Sequence, residues 1–154
     1  MNAQGLMELA ITQATEGVAA GQSPFGCAIQ MEGPVIAACH NTVLSTIDIT
    51  AHAEINALRA ACVQQREHHL QGVLVATTCE PCPMCMAALH WARVDTVYFG
   101  ATVSAAAAGF NELSLAAAEL LRVGGSSVRL VGGVLGDKCR QLFQQWGRRQ
   151  LVIS

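Results

Sequence analysis

Two short stretches constrain this chain more than anything else in it: His52-Ala53-Glu54 and Pro81-Cys82-Pro83-Met84-Cys85. Each alone admits several readings. A His-x-Glu triplet suits an ordinary solvated helix turn, and a Cys-x-x-Cys pair serves metal binding, redox chemistry or neither. Their separation narrows the choice, because the 27 residues between Glu54 and Cys82 suffice for the rest of one helix and one strand. One histidine nitrogen and two thiolates are donors that zinc takes, and three protein ligands leave a fourth position open for water. His52, Cys82 and Cys85 are those three, and Glu54 is a carboxylate beside them that is free to carry protons. Residues two apart point to opposite faces of a regular helix, so His52 is expected at a helix start with Glu54 just inside. Cys82 and Cys85, at i and i+3, share one helix face. Pro81 and Pro83 suit a helix beginning there, and a helix N-terminus helps to keep both sulfurs ionised.

His-x-Glu followed by Pro-Cys-x-x-Cys is the signature of the zinc deaminases. The chain resembles the cytidine/deoxycytidylate deaminase superfamily, and within it the guanine-deaminase-like branch. The resemblance covers most of the chain and is specific over residues 24–26, 41–54, 78–93 and 109–112. It implies one zinc ion per chain on His52, Cys82 and Cys85, with Glu54 shuttling protons to the leaving amine. It further implies that Asn41 hydrogen-bonds the substrate base and that Phe25, in the Pro24-Phe25-Gly26 turn, shapes the pocket wall. Backbone N–H groups of Ala53 and Cys82 are expected to face the substrate, Trp91 to place an aromatic ring near the base, and Glu112 to act on the base as a second acid. Two departures stand out. Asn111 replaces an aspartate of the family's pattern, and the chain stops at Leu151-Val152-Ile153-Ser154 without the aromatic that covers the pocket in several members. Either that lid is missing or another segment supplies it.

Cys79 raises an alternative, a closed structural site of three cysteines and one histidine that would abolish catalysis. Its position before the helix is expected to aim it elsewhere. His68 and His69 read as solvated, and His90 as too far round its helix to be a ligand. Cys27, Cys39, Cys62 and Cys139 read as small core residues.

Periodicity predicts helix over 6–20, a hairpin of strands 25–31 and 35–39 about the Glu32-Gly33-Pro34 turn, and a polar loop over 40–50. A helix then carries His52 to Cys62. Strand 73–77 leads to a helix from Cys82 to about Ala92, followed by strand 94–100, helix 113–123, strand 128–131 and helix 137–148. The order predicts an α/β fold with a five-stranded mixed sheet between helical layers. This agrees with the three-layer α/β/α, cytidine-deaminase-like fold that the resemblance implies.

The 154 residues are expected to form one domain over 1–154. A hydrophobic content of 52% against 13% charged exceeds the needs of a lone subunit. No run reaches the ~18 apolar residues of a membrane span, so the excess points to a homodimer interface and not to a membrane. Met1 to Ala10 has no basic flank and carries Glu8, unlike a secretory signal. Seven cysteines with no paired framework, two of them in the metal motif, suit a reducing cytoplasm. The net charge of −2 argues against nucleic acid, although residues 103–154 carry six basic and three acidic groups. The activity that the resemblance implies is zinc-dependent hydrolytic deamination of a purine nucleobase, guanine to xanthine and ammonia. The alternative is a tRNA adenosine deaminase using that basic C-terminal part, although cations near a helix C-terminus also have a purely local role. Cytosine or a nucleoside as substrate, and a non-catalytic zinc-stabilised module, are weaker alternatives.

Overall fold

The computed structural model describes residues 1–106 and 110–153, with side chains through residue 147. Five strands form one sheet in the order β2-β1-β3-β4-β5. β1 (Gly26–Gln30) is antiparallel to both β2 (Val35–His40) and β3 (Leu74–Cys79). β3, β4 (Thr96–Ala101) and β5 (Arg129–Val131) run parallel. The mixed sheet and the parallel crossover agree with the expectation from sequence.

Alternation along the strands divides the core into two layers. Cys27, Ile29, Val75 and Val97 point to one face, packed by α3 (Ala53–Gln65), α4 (Pro83–Trp91) and α6 (Ala117–Gly124). Ala28 and Ala76 point to the other, packed by α1 (Ala3–Ala19) and α7 (Gly136–Ile153). Small residues on the second face let α1 approach closely. At Gly26 a Cβ would lie 1.9 Å from the Ala10 carbonyl oxygen, so no larger residue fits without moving α1 or β1.

Local differences from the predicted elements have identifiable causes. The loop before His52 contains a short helix, α2 (Val43–Thr46), which ends at Ile47 in the left-handed region. A four-residue helix, α5 (Val103–Ala106), follows β4. The helix expected over 113–123 begins only at Ala117, because residues 110–116 run irregularly from the cleft to the helix start. The closing helix extends beyond residue 148, to Ile153. Gly109, Ser154 and the side chains of Arg148 and Arg149, all used in the sequence reading, lie outside the described residues.

Candidate zinc and substrate site

Both halves of the signature sit where a strand or loop turns into a helix. His52 is the N-cap of α3, extended at φ −69° and ψ 158°. Cys82 is the N-cap of α4 at φ −67° and ψ 168°, the extended backbone that a residue before proline favours, and Pro83 opens the helix. Two helix N-termini therefore converge on the thiols, and their positive ends favour thiolate.

His52 Nδ1 lies 3.6 Å from Cys82 Sγ and 3.4 Å from Cys85 Sγ. Tetrahedral zinc with its usual bond lengths would hold nitrogen and sulfur about 3.6 Å apart. The three side chains thus fit the ion through His52 Nδ1 and both sulfurs, whose mutual separations are all within 4.8 Å. The hydrogen bond from Cys85, together with His52, lowers the Cys82 thiol to about 4 despite burial. His52 is correspondingly raised, chiefly by its hydrogen bond to Cys82. Zinc, when bound, acts there as a Lewis acid that makes water available as a nucleophile near neutral pH.

Glu54 lies one turn position inside α3 and is 5% exposed. Burial raises its pKa above the ordinary carboxyl value, and a 2.5 Å hydrogen bond donated by Thr77 Oγ1 to Oε1 partly opposes the shift. Thr77 is fully buried on β3, so the sheet itself aims the carboxylate. The next residue, Thr78, receives the Gly26 N–H at 3.1 Å and donates to the Pro24 carbonyl at 3.3 Å. That pair of bonds fixes the turn carrying Phe25.

A cleft of about 390 Å³ opens over these groups. His52, Glu54, Cys82, Asn41, Phe25 and Glu112 all line it, so the fold gathers residues spread over most of the sequence. Asn41 is 4% exposed; its Nδ2 donates to Ser23 Oγ at 2.9 Å, and its Oδ1 has no partner among the described residues. Glu112 is partly buried on the irregular stretch before α6. Its pKa is raised by burial and then by the neighbouring Cys82. It stands five residues ahead of Ala117, so it is not a helix-start carboxylate. Ala53 is the first residue of α3 and fully buried, and its N–H is beyond the reach of any intrahelical carbonyl.

Trp91 corrects an expectation. It ends α4, whose nine residues carry it roughly 13 Å away from the metal end. There it is 77% exposed, beside a separate surface hollow that it lines with His90 and Arg93. The aromatic wall comes from elsewhere. Phe110 and Trp146 stack with centroids 5.1 Å apart and both line the cleft, and Phe25 meets Phe110 edge-on at 5.3 Å. Trp146 on α7 thus lines the cleft where Trp91 does not. Periodicity gave no sign of it, because helix position alone does not reveal which cleft a residue overhangs.

Cys79 is the last residue of β3, buried, with its thiol pushed up by desolvation. It lines the cleft without joining the ligand cluster, as its place before the helix suggested. His90 bonds Ser126 Oγ at 2.6 Å, away from the metal trio.

One imidazole and two thiols at two helix starts, beside a buried carboxylate and an open cleft, could hold zinc in a catalytic arrangement on an α/β/α frame. Residues 1–101 match the family model described as the cytidine and deoxycytidylate deaminase zinc-binding region. Guanine deaminase of Bacillus subtilis is 43% identical over 114 residues, 73% of each chain, and its solved structure superposes with a TM-score of 0.70. The solved guanine deaminase from Nitrosomonas europaea superposes with a TM-score of 0.85 at 25% identity, over 93% of this chain and 83% of the other. The tRNA-specific adenosine deaminase of Bacillus subtilis is 31% identical over 142 residues, 92% of this chain and 86% of its own. The chain belongs to the cytidine and deoxycytidylate deaminase family and is a zinc-dependent hydrolytic deaminase.

Proposed function

We propose that the chain deaminates free guanine to xanthine, with His52, Cys82 and Cys85 as zinc ligands. Glu54 takes a proton from the attacking water and delivers it to the exocyclic amine, which leaves as ammonia. The observation that carries the choice of base is the pairing of two acceptors in one cleft: the unpartnered Asn41 Oδ1 and the Glu112 carboxylate. Free guanine presents two ring N–H groups, whereas guanosine and adenine present one each. An acceptor left buried and unpaired costs about 1–3 kcal/mol, more when charged. That disfavours adenine by roughly ten- to a hundredfold. The stacked Phe110 and Trp146 supply the apolar wall for a planar ring, and the Ala53 N–H faces the substrate side.

The relatedness to tRNA-specific adenosine deaminases supports a second reading. Three of the six basic residues that favoured it form ion pairs within the chain. Lys138 pairs with Glu8 at 2.5 Å, Arg122 with Glu119 at 2.5 Å and Arg140 with Asp137. Lys138 and Arg140 also stand at the start of α7, not at the C-terminal end where a dipole role would place them. Ammonia release from guanine, guanosine, adenine, cytosine and a tRNA anticodon stem separates the readings. Guanine is expected to be turned over fastest, and Glu112→Gln to lower that turnover at least tenfold with little change in melting temperature. Activity on the stem with none on guanine would move the protein to the second reading.

The proposal treats residues 1–154 as one cytoplasmic domain acting as a homodimer. Leu44, Ile47 and Ile49 around the cleft mouth are 69%, 93% and 78% exposed, an apolar rim suited to a second copy. Light scattering after size exclusion is expected to give twice the 16.2 kDa chain mass; a monomer at all concentrations would refute the dimer. No helix among the described residues is long and apolar enough to cross a membrane.

A further inference from the structure

Glu80 stands inside the signature region but is neither a ligand nor the proton carrier. Its backbone N–H donates to the Ala101 carbonyl at 2.8 Å, which fixes it between the ends of β3 and β4. From there its carboxylate accepts two backbone bonds from distant parts of the chain. Oε1 takes the Val103 N–H at 3.2 Å and Oε2 takes the Ala117 N–H at 3.0 Å. Those donors stand in the chain on either side of Phe110 and Glu112, which both line the cleft. Ala116, the N-cap of α6, provides no side-chain cap, so Glu80 supplies across space what the local sequence lacks.

We propose that Glu80 is a positioning residue for substrate recognition: its carboxylate pins the backbone at Val103 and Ala117, the two feet on either side of Phe110 and Glu112, and thereby sets where Glu112 meets the base. This rests on the reading of Glu112 as a base contact. Two acceptor oxygens are required, because both partners are N–H donors. A glutamine has the same size but only one acceptor, and its NH₂ would face one of the N–H groups. Releasing one foot allows Glu112 to shift, and a misplacement of about 1 Å costs up to ~10²-fold in rate.

The test is a double-mutant cycle on guanine deamination by the zinc-loaded full chain. Glu80→Gln is expected to lower kcat/KM by roughly ten- to a hundredfold, at unchanged zinc content. In a Glu112→Gln background the same change is expected to cost less than about twofold, since the carboxylate that it positions is already gone. Ala117→Pro provides a second route if Glu80→Gln folds poorly. It deletes one donor at a first helical position where proline is tolerated, and Ala116 already has the φ −67°, ψ 144° that proline requires of its predecessor. It is expected to reproduce the loss and the same non-additivity. Full activity in either folded variant overturns the proposal. So do losses that multiply with that of an impaired Glu112→Gln, because a merely structural role would leave the two effects independent. A Glu112→Gln enzyme with undiminished guanine turnover overturns the reading of Glu112 instead, and the inference falls with its premise.

Discussion

Glu54→Ala is expected to give a folded protein that retains zinc and has lost ~10²–10⁴-fold in turnover, towards the upper end of what general acid–base residues contribute. The upper end applies because the same carboxylate serves both ends of the reaction. It accepts the proton from water and then protonates the departing amine, and hydrolysis balances only if both transfers occur. Its environment suits the task. Burial raises its pKa above the ordinary carboxyl value, while the Thr77 hydroxyl at 2.5 Å holds it in place. The fold is expected to tolerate the change. The variant loses a group that is costly to bury when ionised, and it leaves the Thr77 hydroxyl without its acceptor, a penalty of about 1–3 kcal/mol. Zinc analysis and ammonia release on the same preparation check the prediction. Near-normal turnover in the metal-loaded variant would remove Glu54 from the mechanism.

The chemistry of the centre was legible because it is local. His52, Glu54, Cys82 and Cys85 lie in two short segments, and the geometry that unites them follows from helix starts that proline and spacing announce. The contacts that shape specificity are long-range. Glu80 immediately precedes the Pro81–Cys85 stretch, but its partners lie 23 and 37 residues away, and no periodicity connects them. Thr77 reads as one more residue of a buried strand until its hydroxyl is seen to reach Glu54 at the start of α3. Trp146 reaches the cleft because α7 packs against β4 beside α1, on the face of the sheet that bears small residues. Only the packed layers reveal that approach.

Trp91 and residues 113–116 failed for the converse reason. The resemblance supplied a role for Trp91, whereas nine residues of helix decide where the ring goes in this chain. Leu113 to Ala116 have helical periodicity, yet the first N–H of α6 is taken by Glu80 at Ala117. A tertiary hydrogen bond thus sets the boundary that local preference would place earlier.

Cys82→Ser and Cys85→Ser are each expected to abolish stoichiometric zinc binding, and with it all measurable deamination. Three side chains are available; removing one leaves two, too few for a site that must also keep a position open. Serine preserves size but not the ionised sulfur. The loss also reaches the fold, because zinc bound only to the native state stabilises it by mass action. Zinc at a thousand times its Kd contributes about 4 kcal/mol, roughly 8–16 °C of melting temperature at ~2–4 °C per kcal/mol. A strong chelator is therefore expected to lower the melting temperature of the parent protein towards that of Cys82→Ser, and to leave Cys82→Ser itself unchanged. Acid is expected to act in the same direction. Zinc requires both thiols deprotonated and His52 neutral, and His52 is raised by its contact with Cys82, so affinity falls as pH falls through the histidine titration. Cys79→Ser is the control. Cys79 lines the cleft outside the ligand cluster, so this variant is expected to keep one zinc per chain. Loss of zinc from Cys79→Ser, with retention in Cys85→Ser, would show that the metal is held by a different set of sulfurs.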